Sequence, residues 1–388
     1  MVTPVLIFLC VTFIFPILDM LFRSVANAEI PTYLPKTVKI IETWDGEDLP
    51  GEDIYQAMLE DLILAAKDRT IGKLGTRLNY QASGMRSLMS RTSRGVKRYD
   101  PAEHTSAKEF LLSIDKKWSQ KNIWNIIKLE KSKYTNFYYV EAADYELDLD
   151  TGKVVSKPES ESIYIDLFFR TFWMSMVITL LTLLLGYPIA MLLANIPLRY
   201  ANLLMIMVLL PFWTSLLVRT STWIAVLQSH GVLNDILVAL GFIDDENRIQ
   251  MIHNSTGTFI AMTHILLPFM ILPLYSVMKT INPSFVKAAR SLGASSFRAF
   301  WKIYFPLTLS GIGAGGVLVF ILSIGYYITP ALVGGETGRF ITNMIAHHMS
   351  SSLNWGLAAA LASILLFFVI ILYFIYNKFA NISDIKFG

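Results

Sequence analysis

Charge is scarce in this chain. Lys, Arg, Asp and Glu make up 16% of its 388 residues, where soluble domains carry about 25%. With 54% hydrophobic residues and a mean hydropathy of +0.48, that shortage excludes an ordinary soluble domain and points to a bilayer. Cysteine is nearly absent. Cys10 stands alone in an apolar run, so neither an intrachain disulfide framework nor a cysteine metal site is expected. The net charge of +3 is too small to argue for a nucleic-acid partner. No G-x-x-x-x-G-K-[ST] phosphate loop occurs, so the chain is expected to hydrolyse no ATP itself and to need no cofactor.

What is present is a set of long apolar runs. Six are long enough to span about 30 Å of hydrocarbon, which takes roughly 20 helical residues. They cover approximately 3–22, 167–194, 201–226, 258–278, 307–329 and 355–376. Runs this long and unalternating are helices, because only helices or closed barrels satisfy the backbone in lipid. Interior prolines at 16, 188, 211, 268 and 273 predict kinks. The first run precedes Ala26-Asn27-Ala28, a signal-peptidase-like stretch, but lacks a basic leader. A retained first span (1–25) is therefore expected over a cleaved signal.

Residues 26–160 read as a polar insert of domain size. "GEDIYQAMLEDLILAAK" has helical periodicity, Asp100-Pro101-Ala102-Glu103 resembles a helix start, and "DYELDLDTGKVV" reads as two strands joined at Thr151-Gly152. An α+β domain is expected. Asp144, Glu146, Asp148 and Asp150 alternate, which predicts four acids on one strand face. Nine basic residues lie between Lys67 and Arg98 against one acid, Asp68. A solvated edge is the plain reading of the acidic row; it could also pair with the basic run, or dock an amine or a basic protein face.

Short-loop cations set the orientation. Arg199, the group Lys279, Lys287, Arg290, Arg298 and Lys302, and the tail residues Lys378 and Lys386 fall on one side. The other side holds Arg248 and Arg339 among five acids. The first side, with both termini, is expected to be cytoplasmic, and the insert extracytoplasmic.

One cytoplasmic stretch, "VKAARSLGASSFRAFWKIYFPL" (286–307), is basic and aromatic. Asn282-Pro283 opens a short helix whose apolar face is Phe285, Ala288, Ala289 and Leu292. Gly293 is its left-handed stop. Ser295 or Ser296 caps a second helix with a face of Phe297, Phe300, Trp301 and Tyr304, and Pro306 opens the fifth span. An interfacial helix resting on headgroups and a knob for a partner's groove are both open on physical grounds.

The stretch resembles the EAA loop of ATP-binding-cassette importer permeases: Glu-Ala-Ala, three residues, Gly, nine residues, Ile-x-Leu-Pro. Ala288, Ala289, Gly293, Ile303 and Pro306 are in register, while Lys287 replaces the glutamate and Phe305 the leucine. "PFWTSLLVRTSTWIAVLQSHGVLN" (211–234), "LPFMILPLYSVMKTINPSFVKAARSLGAS" (267–296) and "GYYITPALVGG" (325–335) are similar to the spermidine/putrescine-type branch. The resemblance covers about residues 163–377. It implies an all-α membrane protein of six transmembrane helices with a type I importer (MetI-like) core, five of the helices forming the permease core at 161–380, and a cytoplasmic tail at 381–388. It also implies a multi-pass inner-membrane location, two cytoplasmic ATP-binding subunits, a second permease subunit, identical or related, and a periplasmic solute-binding protein. Lys287, Ala288, Ala289, Leu292, Gly293, Ala294 and Ser295, within the loop 281–305, would contact the ATPase, with one charge reversed at Lys287. The implied cargo is a polyamine or a related opine or amino-acid-like solute.

The translocation path is expected near Arg219, Trp223, Tyr326 and Tyr327. Ionisable groups in spans are functional suspects, and aromatic faces attract amines. An arginine would repel a cationic cargo, so Arg219 is expected either to snorkel from the outer end of its helix or to hold a gate by hydrogen-bonding backbone carbonyls. His264 is expected to be a buried, hydrogen-bonded histidine rather than a proton relay. Gly311-Ile-Gly313-Ala-Gly315-Gly316 has the letters of a dinucleotide loop, but its apolar helical setting favours close helix packing. Adjacent His347 and His348 point to different faces, which argues against a metal site. An ion-coupled secondary transporter is the alternative reading; it wants acids near the bilayer midplane, and the middles of these runs have none. A membrane-anchored sensor would want a signalling domain after Tyr376, and none is expected.

Overall fold

The computed structural model describes residues 3–102, 104–149 and 151–382. The chain forms two compact units, 1–164 with 348–363, and 165–347 with 364–388.

In the first unit, Thr3–Arg23 is an apolar helix with none of its hydropathic window buried in protein. A π turn at Cys10–Ile14 precedes Pro16 and takes up the hydrogen bond the proline cannot donate. The insert is chiefly helical. Glu52–Lys67, Ile71–Asn79, Met85–Gly95, Ala107–Ile114 and Lys121–Leu129 enclose a core centred on Tyr55, Leu62, Leu78, Leu88, Trp118 and Trp124. The two indoles are fixed as well as buried. Trp118 Nε1 donates to Thr92 Oγ1 (3.1 Å), and Trp124 Nε1 donates to the Trp118 carbonyl (3.0 Å). Among the described residues the strands form one antiparallel hairpin, Tyr145–Leu147 with Val154–Ser156, with Gly152 at φ +66° between them. The Ala26-Asn27-Ala28 stretch is built into the insert: the buried Asn27 amide donates to the carbonyls of Glu130 (2.7 Å) and Ser132 (2.8 Å).

Two expectations for the insert fail. Asp100 begins a turn, not a helix: its carboxylate accepts the Ala102 N–H (2.9 Å), and the chain leaves helical geometry there. The helix starts at Ala107, where the Ser106 hydroxyl caps the Glu109 N–H (3.2 Å). Glu103 lies outside the described residues. The four-acid strand face also does not form. Asp144 precedes the strand at φ +58°, is buried, and accepts the N–H groups of Ile163 (3.0 Å) and Tyr164 (3.1 Å). Of the other acids, Glu146 is in the strand, Asp148 follows it, and Asp150 lies outside the described residues.

Among the described residues five helices are long and apolar enough to cross a membrane: Thr3–Arg23, Tyr164–Asn195, Ser255–Thr280, Ser296–Gly325 and Trp355–Lys378. The expected third span is broken. Leu198–Trp213 and Leu216–Ala239 meet at 97°, and they make a sixth span if counted together. Pro211 and the extended Thr214 end the first segment, and the Ser215 hydroxyl caps the Val218 N–H (3.2 Å) to start the second.

The core of the second unit contains Met174, Ile178, Met262, Leu266, Met270 and Leu274. Ser255–Thr280 packs on Ser296–Gly325 through Gly311 and Gly315, the GxxxG pair of the stretch, as the packing reading expected. A Cβ on Gly315 would lie 2.8 Å from Met270 Sδ and 3.2 Å from the Met270 carbonyl oxygen. Gly315→Leu should therefore force the helices apart at a cost of about 1–3 kcal/mol or more, read as a lowered melting temperature in detergent. Gly316→Ala meets only Thr179 Cγ2 at 4.0 Å and should be tolerated. Equal behaviour of the two variants would remove the close-packing role.

Candidate coupling loop and membrane cavity

The loop after Thr280 is organised by its own backbone. Asn282 Oδ1 accepts the Ser284 N–H (3.0 Å), and Ser284–Ser291 forms the short helix. Its end is a Schellman motif. Gly293, at φ +90°, donates to the Arg290 carbonyl (3.0 Å), and Ala294 donates to the Ala289 carbonyl (3.0 Å). Ser295 then caps the Arg298 N–H (3.3 Å). One expectation changes here. The second loop helix is not separate: Ser296–Gly325 is a single long helix, with a π turn at Phe300–Tyr304 just before Pro306. The Phe305 N–H reaches back to the Phe300 carbonyl, so the proline fits inside a continuous helix.

No residue of Ser284–Ser291 is buried. Leu292 at its tip is 90% exposed, Phe297 72% and Phe285 53%. Lys287, Arg290 and Arg298 form no ion pair among the described residues. The loop thus presents a rigid, apolar-tipped, cationic knob that its own chain does not cover.

The broken span builds the second feature. Leu210, Pro211, Thr214, Arg219, Trp223 and His264 line a cavity of about 310 Å³. Arg219 Nη2 donates to the Thr214 carbonyl (3.1 Å), on the loose turn at the 97° bend. A backbone-carbonyl contact is one of the two arrangements expected of Arg219. Its Nε is buried with no partner among the described residues. Trp223 Nε1 donates to His264 Nδ1 (3.2 Å), with ring centroids 5.2 Å apart at 67°. His264 is thereby an acceptor at Nδ1, hydrogen-bonded as expected but half-buried where full burial was expected. Its pairing with Trp223 across 41 residues had no sequence signal.

Tyr326 and Tyr327 do not line this cavity. They end Ser296–Gly325, and their carbonyls accept from Thr342 Oγ1 and Asn343 Nδ2, both at 2.7 Å. These bonds satisfy a backbone that has left the helix. The half-helix Ile328–Val333 that follows meets the broken span through Thr329 and Thr220 hydroxyls 3.3 Å apart. His348 is buried and bonded to the Tyr164 hydroxyl (2.9 Å). Among the described residues no group of three or more His, Cys, Asp or Glu could hold a metal.

Residues 183–381 match the model of a family described as the binding-protein-dependent transport system inner membrane component. The chain is similar to the spermidine/putrescine transport system permease protein PotB of Haemophilus influenzae, 34% identical over 222 residues, covering 56% of this chain and 77% of that one. It is 36% identical over 200 residues to PotB of Escherichia coli, covering 52% and 72%. Among solved structures, a bacterial alginate ABC transporter in complex with an alginate pentasaccharide-bound periplasmic protein aligns with a TM-score of 0.48 at 16% identity, covering 57% of this chain and 80% of that one.

Proposed function

The chain belongs to the inner-membrane components of binding-protein-dependent transport systems, the permeases of ABC importers, and from that premise we propose what it carries and how it is driven. The cargo is a small amine-bearing solute of polyamine type. Support comes from the similarity to PotB proteins, whose names specify spermidine and putrescine. Arg219 does not bind such a cation, because like charges repel; it ties the bent segment to the Thr214 carbonyl as a gate element. Trp223, held by His264, and the Tyr326-Tyr327 pair supply aromatic surface along the path.

Two cytoplasmic ATPases grip the loop at 281–305 on this chain and on a second permease subunit. The observation that carries this reading is the exposed, Schellman-locked tip at Ala288–Leu292. ATP binding closes the ATPases, draws the loops together and rocks the spans, while a periplasmic binding protein delivers cargo on the side of the insert. Both termini and the loop lie in the cytoplasm, following the cation count.

Reconstituted vesicles test the reading. With the ATPase, the second permease and the binding protein present, radiolabelled spermidine should accumulate only when ATP is supplied on the loop side. Uptake that persists without the ATPase, or that follows a proton gradient, would overturn it.

A further inference from the structure

The basic run of the insert folds in an ordered way. Of the nine cations from Lys67 to Arg98, Arg77 is buried and the other eight are exposed. Three of the exposed ones converge. Arg91, Arg94 and Arg98 sit at i, i+3 and i+7 along Met85–Gly95 and the 3₁₀ turn Val96–Arg98, which places them on one side. They line a cavity of about 560 Å³ whose other wall carries His104, Phe110 and Ser113. His104 is held in place by rings, stacked on Tyr99 (6.0 Å, 15°) and tilted on Phe110 (4.6 Å).

The charges do not balance locally. Arg91 is met by Asp115 at 3.1 Å, but Arg94 and Arg98 have no carboxylate partner among the described residues. Like charges four apart on a helix destabilise it by a few tenths of a kcal/mol. Cations kept only for solubility are best spread over an open face. Here two guanidiniums without a carboxylate partner among the described residues share a concavity with an apolar wall at Phe110 and Ile114. Guanidinium forks match the oxygens of phosphate in pairs, and the His104 imidazole stands opposite as a further donor, while the Ser113 hydroxyl on that wall donates to the Phe110 carbonyl (2.6 Å).

We propose that this cavity binds a phosphate-type oxyanion, either inorganic phosphate or the phosphate of a lipid headgroup. Arg94 and Arg98 are the principal donors, and His104 and Ser113 close the site from the other wall. The site shares no residue with the membrane cavity at Arg219 and does not depend on the identity of the cargo.

The test uses the full chain purified in detergent. Inorganic phosphate is titrated in by calorimetry at constant ionic strength set with chloride, then repeated with a soluble short-chain phosphatidylglycerol. Saturable binding should weaken roughly tenfold or more in Arg94→Gln/Arg98→Gln. These side chains are exposed, so the fold should tolerate the change. Arg86→Gln, an exposed cation outside the cavity lining, should bind as the parent does. Binding of the lipid alone, with the same sensitivity to the double variant, supports the site and identifies its source. Absence of saturable binding of both probes overturns the proposal. So does equal binding by the double variant, or equal loss in Arg86→Gln.

Discussion

Ala289→Arg is expected to abolish ATP-driven uptake while leaving the protein inserted and able to bind lipid or detergent normally. Ala289 shares the i, i+3, i+4, i+7 face with Phe285, Ala288 and Leu292, and its helix buries nothing in its own chain. The fold therefore has little to lose. A partner groove shaped for alanine would instead receive a long cation. An unpaired charge buried at an interface costs about 3–5 kcal/mol, roughly two to four decades in affinity for the ATPase. Gly293→Pro should act by a different route with the same result. Proline cannot reach the φ of +90°, and it removes the N–H that closes on the Arg290 carbonyl. The measurement is uptake alongside ATPase co-purification; normal uptake in either variant would remove the docking role from this loop.

The loop was largely legible in the sequence because its information is local. Helical spacing, a glycine forced to positive φ and a serine cap each depend on neighbours three to five residues away. The 311–316 glycines were legible for a similar reason: an apolar helical context decides between packing and phosphate binding before any contact is known. Local signals also misled. Asp100-Pro101 satisfies the chemistry of a helix start, yet the turn it caps is not continued, because the next helix takes its cap from Ser106. Pro306 reads as a helix opening, yet a π turn absorbs its missing donor and the span runs through. Pro211 signalled a kink, but not that Ser215 would restart the helix at 97°. Contacts between distant residues left no trace at all. Trp223 with His264, and Arg77 with Glu130 across 53 residues, follow from packing and not from any spacing rule.

That last pair should give the largest stability effect in the insert. Glu130→Ala is expected to destabilise it by about 3–5 kcal/mol, because the Arg77 guanidinium would remain buried without a counter-charge. The two side chains are 2% and 3% exposed, and Arg77 Nη2 lies 2.6 Å from Glu130 Oε2. Glu130 Oε1 accepts from Gln81 and from Thr135 Oγ1 (3.2 Å), so its loss strands more than one donor. Arg77 cannot escape by deprotonation. Its remaining support is aromatic, with the guanidinium carbon 5.4 Å and 5.2 Å from the Phe137 and Tyr138 ring centroids. Two nitrogens, Nε and Nη1, already lack hydrogen-bond partners among the described residues. At roughly 2–4 °C per kcal/mol for a unit of this size, the insert should melt roughly 10 °C lower, followed by the fluorescence of Trp118 and Trp124. Salt should change this little, since a buried pair is poorly screened. The double variant Arg77→Met/Glu130→Leu removes both charges and keeps most of the volume, so it should recover most of the loss. If the double variant melts as low as the sum of the single changes, the cost lies in packing and not in the stranded charge.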